Sequence, residues 1–357
     1  MRATIRSWLR TEAGRLRTPW RLLAFGLLIV VANLVVGAAA LLTGYAVGPA
    51  DASGVGVAVV LLFLTVNGVL IALLTLLAGR HLDRRLLADL GLRGGARPRL
   101  DPLAGAGLGV VLVCGAYAVG AALGVYEASV DPAAPPGYPL AAWLALVVVT
   151  MVVVGAYEEL LLRGYVLTNL AEGLTAFLGR RASVAAALVV SSVGFGLLHG
   201  ANPAASPRSL ATVTLAGLLL GLAYVYTGSL LFSIGLHVTW NLSGVLLGLP
   251  VSGLEIPVRL VRTEVTGDPA VHGAGFGIEG GLLGLGAAAV GCLAVVGYAR
   301  LTGRSVREEI ATAALRFSRR GTTRGCSRRP SVPRGCPPAL PRRSPAGRCG
   351  RRVRGRR

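Results

Sequence analysis

Long apolar stretches separated by short polar ones run through most of the 357-residue chain. About 20 apolar residues span the hydrocarbon core of a bilayer, so such stretches are typical of transmembrane helices. The pattern predicts eight spans, at about 23–47, 56–79, 103–125, 139–157 with a continuation, 183–200, 209–226, 229–248 and 277–299. The predicted fold is therefore an all-α, polytopic transmembrane helix bundle, because lipid offers no partners for backbone groups outside helices.

The polar segment before the first span carries six arginines within residues 1–22. This start resembles the charged region of a signal peptide. The apolar run after it is too long for a signal, however, and the second span follows at once, which indicates an uncleaved first helix.

Arginine-rich and arginine-free loops alternate along the predicted chain. The loop 80–101 carries six of them and the connection after the fourth span carries Arg180 and Arg181, whereas the loops 48–55 and 126–138 carry none. Because basic residues favour cytoplasmic loops, we expect a multi-pass protein of the cell membrane with both termini in the cytoplasm. We expect one transmembrane domain over residues 23–300.

The C-terminal segment, residues 301–357, carries most of the net charge of +20, because its last 47 residues hold 15 arginines and no acidic residue. Its Arg/Pro/Gly-rich composition predicts a disordered basic tail. Anionic lipid headgroups, non-specific nucleic-acid binding and a translation artefact of a GC-rich gene all fit it. An artefact or incidental lipid contact is favoured, and no specific nucleic-acid partner is expected.

The segment YEELLLRGYVL, residues 157–167, carries two glutamates and an arginine. It directly follows a long apolar run, where charged side chains are costly. Ionisable residues inside a membrane are rare, and they are usually paired or functional. Glu159 and Arg163 are four residues apart and could form an ion pair along one helix. Glu158 points about 100° away from Glu159 and is free to face another element.

Two of the four histidines, His199 and His237, lie in later apolar spans, and Asn241 shares a helix face with His237. If these spans converge with the fourth, they enclose a polar pocket. A carboxylate and an imidazole can activate water, and a second imidazole with an amide can stabilise an oxyanion. Glu158 and the two histidines could equally hold a zinc ion.

Other functions are compatible with the same spacing. A Glu–Arg pair can simply pin two helices, and an intramembrane histidine is often an interhelical hydrogen-bond partner. A polar cluster can also form a proton or ion relay in a transporter. The spacing alone does not decide among these functions.

Three strings, EELLLR (158–163), FGLLH (195–199) and HVTWN (237–241), resemble the motifs EExxxR, FxxxH and HxxxN of the CPBP family, the CAAX-protease and bacteriocin-processing (Abi) group. They occur in the family's order, within about residues 139–250. This resemblance implies an intramembrane endopeptidase. Glu158 would be the general base with His199 as its partner, and His237 and Asn241 would form the oxyanion hole.

The resemblance also bears on the remaining site residues and on the cofactor. Glu159 and Arg163 would structure the site. Members of the family are commonly labelled metalloproteases, and a metal-free, glutamate-dependent mechanism is also proposed for them. The cofactor would thus be zinc or another divalent metal on Glu158, His199 and His237, or none.

Helix geometry sets a condition for a shared site. At about 1.5 Å per residue, Glu158 lies roughly 28 Å from the start of its span and close to the cytoplasmic surface. His199 lies about 24 Å from that same surface. The two can meet only if the helix of Glu158 continues to about residues 172–176 and the chain turns near Gly179. The helix would then be longer than the bilayer and tilted, or broken before Glu158.

The sequence therefore predicts a peptidase that acts on a membrane-associated protein or peptide within the lipid bilayer. The main alternative is a non-catalytic immunity or interaction protein on the same scaffold. A transporter ranks third, because the two halves show no internal repeat. The sequence does not indicate an oligomeric state.

Overall fold

A computed structural model of the protein describes residues 8–11, 14–47, 54–92 and 99–311. The basic tail from residue 312 onward lies outside these residues, as do the N-terminal Arg2 and Arg6 and most of the arginine-free loop 48–55. The described chain is predominantly helical, which confirms the predicted fold class.

The helices have the following bounds: α1 Thr18–Val47, α2 Gly54–His81, α3 Leu100–Ala122, α4 Leu140–Glu159, α5 Thr168–Leu174, α6 Arg180–Leu198, α7 Pro207–Thr227, α8 Leu230–Leu246, α9 Pro269–His272 and α10 Leu282–Leu301. In the described residues, seven helical segments are long and apolar enough to cross a membrane, with α4 and α5 forming one of them. The predicted span 229–248 corresponds to the apolar helix α8, which is shorter than these seven. Each predicted span thus has an apolar helix in the structure.

The fourth span is one continuous helical segment from Leu140 to Leu174, 35 residues long. At about 1.5 Å per residue it measures roughly 52 Å, well beyond the roughly 30 Å of the hydrocarbon core. The predicted extension to residues 172–176 is therefore confirmed. There is no break before Glu158. Instead, a π-helical stretch, Leu160–Leu167, begins directly after Glu159.

The last span begins later than predicted, at Leu282 rather than at 277. Residues 273–281 form turns, and Gly273 and Gly277 have φ angles of 89° and 88°. These angles lie outside the α-helical region and are open to glycine without strain. The turns leave Glu279 outside the helix, in the short 3₁₀ helix Ile278–Gly280.

Helix α8 packs closely against α3 through small residues. Gly105 and Gly109 of α3 face the backbone of α8, and a Cβ atom at Gly109 would collide with the carbonyl oxygen of Leu236. The hydroxyl of Thr239 donates a hydrogen bond to the carbonyl oxygen of Ala106 at 2.8 Å. Such small-residue contacts bring helix backbones together in membranes. They fix α8, the helix that carries His237 and Asn241.

A two-stranded antiparallel sheet, which the apolar pattern did not predict, joins β1, Tyr126–Ala133, to β2, Arg259–Val265. Arg259 bonds to Asp131 at 2.6 Å and lowers the pKa of that carboxyl group. Both strands come from loops predicted to lie on the same side of the membrane. We call residues 123–139, 199–208 and 247–281 the arginine-poor end of the bundle.

The opposite end collects the arginine-rich connections, in residues 8–11, 14–21, 80–92, 99–101, 172–181 and 300–311, which we call the arginine-rich end. Here Glu172 accepts hydrogen bonds from Arg15 and Arg85. Arg21 forms an ion pair with Asp83 at 3.2 Å. The alternation of arginines along the sequence thus corresponds to two physical ends of the molecule.

Gly109→Val should destabilise the bundle. Overpacking a close contact costs about 1–3 kcal/mol, and the new side chain would press on the α8 backbone at Leu236 and Trp240. Gly107→Val is the matched control, because a Cβ at that position meets nothing within 4 Å. Thermal unfolding of the purified variants in detergent measures the difference. Equal losses in both variants would contradict this account of the α3–α8 contact.

Candidate active site

The end of α4 holds a buried ion pair. The Glu159 carboxylate accepts a hydrogen bond from Arg163 Nη1 at 2.7 Å, and both side chains are fully buried. Arg163 Nη2 donates a second hydrogen bond to the carbonyl oxygen of Gly217 in α7 at 2.9 Å. The predicted pairing along one helix is confirmed. Arg163 also ties this helix to a neighbour.

The π-helical stretch begins at this ion pair. The Thr168 hydroxyl donates a hydrogen bond to the carbonyl oxygen of Arg163, five residues earlier, at 3.1 Å. The hydroxyl thereby gives this carbonyl a partner. π-Helical segments are rare and occur frequently at functional sites, and this one lies against the EExxxR motif.

His237 lies between the two glutamates of α4. Its Nδ1 is 3.0 Å from Glu159 Oε1, and its Nε2 is 3.8 Å from Glu158 Oε2. Because an ionised carboxylate only accepts hydrogen bonds, Nδ1 carries the hydrogen. The Glu159 contact therefore fixes the orientation of the ring and turns Nε2 toward Glu158.

Glu158 keeps one carboxylate oxygen without a hydrogen bond. Its Oε1 accepts from the hydroxyl of Tyr157 at 3.0 Å. Its Oε2 is buried and has no hydrogen-bond donor among the described residues. A buried acceptor without a donor is costly. Glu158 Oε2 is thus suited to accept a hydrogen bond from water or from a substrate.

His199 stands at the end of α6, where the helix changes to the 3₁₀ turn His199–Ala201. Its Nδ1 is 2.8 Å from the carbonyl oxygen of Phe195. A carbonyl oxygen only accepts, so Nδ1 carries the hydrogen, and in the neutral tautomer Nε2 is the nitrogen that can accept a hydrogen bond. The Phe195 ring lies next to both imidazoles, with centroid distances of 4.8 Å to His199 and 5.9 Å to His237.

One cavity brings together polar groups from α8 and from the turns after α6, after α8 and before α10. It is lined by Phe195, His199, Val213, Ala216, Leu219, Leu220, Leu236, His237, Trp240, Asn241, Ser252 and Glu279. Its volume is about 20 Å³, and roughly 10–15 Å³ is enough to admit one water molecule. Two imidazoles and an amide around a space of this size can bind and polarise water.

The predicted residues are brought together unequally. His199, His237 and Asn241 line the cavity, whereas Glu158 does not line it and lies 3.8 Å from His237 Nε2. The contacts that connect Glu158 to His199 run through His237 and Phe195. Because α4 is unbroken, it presents Glu158 to α8. The hypothesis of a direct Glu158–His199 pairing stays a prediction.

The proposed metal ligands do not form a common ligand group. Within the described part of the chain, no three His, Cys, Asp or Glu side chains are placed to hold a metal ion together. Nδ1 of each histidine is engaged by Glu159 or by Phe195, which leaves Nε2 of both rings for another partner. The side chains of Glu158, His199 and His237 do not meet as one group in this arrangement, and the metal stays a prediction.

Glu279 and Ser252 are cavity residues that the motifs did not indicate. Glu279 accepts hydrogen bonds from Trp240 Nε1 at 2.8 Å and from the backbone and hydroxyl of Ser252 at 2.8 and 2.7 Å. Asn202 donates to the carbonyl oxygen of Ser252 at 2.8 Å. These bonds link the turn of His199 to α8. The sequence did offer a signal for Glu279, because this residue lies inside the predicted span 277–299 and carboxylates inside membrane spans are usually functional.

Apolar helices that enclose carboxylates, imidazoles and an amide around a water-sized cavity are the features of a polytopic membrane protein with a polar site inside its bundle. Residues 140–243 match the family model of type II CAAX prenyl endopeptidases, Rce1-like. This match confirms the CPBP/CAAX protease family for this part of the chain, and it supports intramembrane protease activity in general. No curated protein and no solved structure was found to match the chain.

Arg163→Met should lower the stability strongly. Removing one partner of a buried ion pair costs about 3–5 kcal/mol, because the other charge stays buried. Glu159→Gln combined with Arg163→Met should recover part of this loss, since the buried carboxylate charge is then absent. Unfolding in denaturant measures the free energy of unfolding of Arg163→Met, of the double variant and of the control, each against the wild type. Arg181→Met, at an exposed ion pair with Glu308, is the control and should change little. An Arg163→Met protein as stable as the wild type would refute the buried pair as a source of stability.

Proposed function

We propose that the protein hydrolyses a peptide bond of a membrane-associated protein or peptide within the bilayer. The observation that carries this proposal is the convergence of His199, His237 and Asn241 on one water-sized cavity, with Glu158 against His237. We place the protein in the cell membrane with both termini in the cytoplasm, on the basis of its arginine distribution.

Two groups are suited to activate water. His199 offers Nε2 as a free base because Nδ1 is engaged by the Phe195 carbonyl. Glu158 offers Oε2, which accepts no hydrogen bond from the described residues. A water molecule that gives its proton to this pair becomes the nucleophile that attacks the substrate carbonyl. Glu158 would act as the general base and His199 as its partner.

Two other groups are suited to stabilise the oxyanion. The Asn241 amide and the His237 ring line the cavity, and both side chains can donate hydrogen bonds to a substrate oxygen. Glu159 holds the His237 ring through Nδ1, and Arg163 holds Glu159. Glu159 and Arg163 are thus positioning residues, which fix the His237 ring before the substrate arrives.

A non-catalytic immunity or interaction protein is the alternative on the same scaffold. Such a protein would need the bundle and its outer surface, but it would not need a free carboxylate oxygen and a free imidazole nitrogen beside a cavity. An assay in cells distinguishes the two functions, because an immunity function would survive the loss of Glu158.

Glu158→Gln should reduce peptide hydrolysis by about 10²–10⁴-fold, the usual contribution of general acid–base catalysis, without lowering the unfolding temperature. The assay follows cleavage of a lipid-embedded peptide library by the purified protein. Glu127→Gln, at an exposed position of β1, is the matched control. Equal activities of the Glu158→Gln and wild-type proteins would exclude Glu158 as the base.

His199→Ala should cause a loss of similar size, since the free imidazole nitrogen disappears. His81→Ala is its control, because His81 is exposed at the end of α2, at the arginine-rich end. If His199→Ala hydrolyses the library as well as His81→Ala does, water activation by His199 is wrong.

A chelator should leave hydrolysis unchanged, because Glu158, His199 and His237 do not come together as a ligand group. The measurement compares initial rates with and without chelator, and after zinc is added back. Loss of activity that zinc restores would show that the three side chains rearrange around a metal ion.

A further inference from the structure

Glu279 is a buried carboxylate that lies beyond the three motifs and beyond the matched residues 140–243. It lines the cavity and is only 7% exposed. Both of its oxygens are engaged, since Oε1 accepts a hydrogen bond from Trp240, and Oε2 accepts two from Ser252. A buried carboxylate needs such partners. These partners also show which elements of the site Glu279 joins.

The first connection runs to α8. Trp240 is 5% exposed, and its indole N–H is 2.8 Å from Glu279 Oε1. It stands three residues after His237 and directly before Asn241. Residues three apart share one side of a helix. A contact that holds Trp240 therefore also fixes the rotation of the helical turn that carries His237 and Asn241.

The second connection runs to the turn after α6. The carbonyl oxygen of Ser252 accepts a hydrogen bond from the side-chain amide of Asn202 at 2.8 Å. The backbone N–H of Asn202 in turn donates to the carbonyl oxygen of His199 at 3.1 Å. Glu279 thus reaches the backbone of His199 through Ser252 and Asn202, by hydrogen bonds alone.

The turns along this second connection hold an unfavourable backbone conformation. The φ angle is 49° at Ser252, and it is 55° at Ala204 and 52° at Ala274 in the two neighbouring turns. Residues with a side chain rarely adopt such angles, which persist only where the surrounding structure fixes them. At Ser252 the fixing contacts include the bonds from its backbone N–H and its hydroxyl to Glu279.

We propose that Glu279 is a positioning residue of the active site. A single carboxylate holds α8, with His237 and Asn241, and the turn of His199 at fixed places around the cavity. It acts through Trp240 and Ser252 rather than on the reacting atoms. That the positioned groups hydrolyse a peptide rests on the proposed function. That Glu279 fixes their positions does not, so the two are tested separately.

Histidine NMR of the protein in detergent tests the positions without catalysis. The chain has four histidines, and the variants His199→Ala and His237→Ala assign the two signals of the cavity. Glu279→Gln should shift the ring-nitrogen signals of both residues, while those of His81, at the end of α2, stay unchanged. If His199 and His237 keep their wild-type signals in Glu279→Gln, the proposal is wrong, whether or not the protein hydrolyses peptides.

Two further variants leave the charge of Glu279 in place and each break one connection. Trp240→Phe removes the indole donor and should shift the signals of His237. Asn202→Ala removes the bond to Ser252 and should shift the signals of His199. If neither variant shifts a histidine signal, the effect of Glu279→Gln comes from its charge alone, and the positioning role is wrong.

Steady-state kinetics test the consequence for catalysis, with one lipid-embedded peptide that the wild type cleaves. Glu279→Gln keeps the shape of the side chain and replaces an acceptor oxygen by a donor group. It should lower kcat about 10²-fold, the effect of misplacing reacting groups by about 1 Å, and change KM less than about twofold. Glu255→Gln, at an exposed position three residues after Ser252, is the matched control and should keep both constants.

A role in stability alone has a different signature. It would lower the unfolding temperature of Glu279→Gln and leave the kcat of the folded protein equal to that of Glu255→Gln, which would overturn the proposal. The double variant with Trp240→Phe gives a second criterion. Its loss in kcat should be smaller than the product of the two single losses, because both changes break the same contact. Losses that multiply in full would contradict a role through Trp240.

Discussion

A carboxylate buried in a membrane bundle needs partners, and the contacts of Glu159 organise this site. A lone charge in a low-dielectric interior costs several kcal/mol. Glu159 is neutralised by Arg163 and accepts a hydrogen bond from His237. Arg163 in turn bonds to the Gly217 carbonyl. Three helices, α4, α7 and α8, are therefore held in register by one ion pair, and the orientation of His237 follows from it.

The apolar pattern predicted the bundle well because spans of about 20 apolar residues have few alternatives in a membrane. The helix of Glu158 could be extended from helix geometry once the motif resemblance required Glu158 and His199 to share a site, since antiparallel neighbours must then bring both residues to a common depth. The π-helical stretch could not be predicted from the apolar pattern, which does not distinguish π-helical from α-helical residues. The pairing of β1 with β2 joins residues more than a hundred positions apart, which hydrophobic periodicity does not register.

The three motifs located the residues of the site but not their neighbours. Spacing within a helix placed Asn241 on the face of His237, and both line the cavity. It could not show that Glu158 would lie beside His237, since that depends on how α4 packs on α8. Glu279 and Ser252 lie beyond the matched residues 140–243. They reach the cavity only because the turns after α8 fold back over it.

The continuous segment from Leu140 to Leu174 connects the polar site to the arginine-rich end of the bundle. Its middle carries the two glutamates of the site, and its last turn carries Glu172, which accepts hydrogen bonds from Arg15 and Arg85. A helix acts as a stiff rod, so a tilt imposed at Glu172 is also a displacement at Glu158. A displacement at the arginine-rich end of this helix thereby has a mechanical route to the reactive groups. The ion cluster around Glu172 and the polar site around Glu158 are two regions of one rigid element.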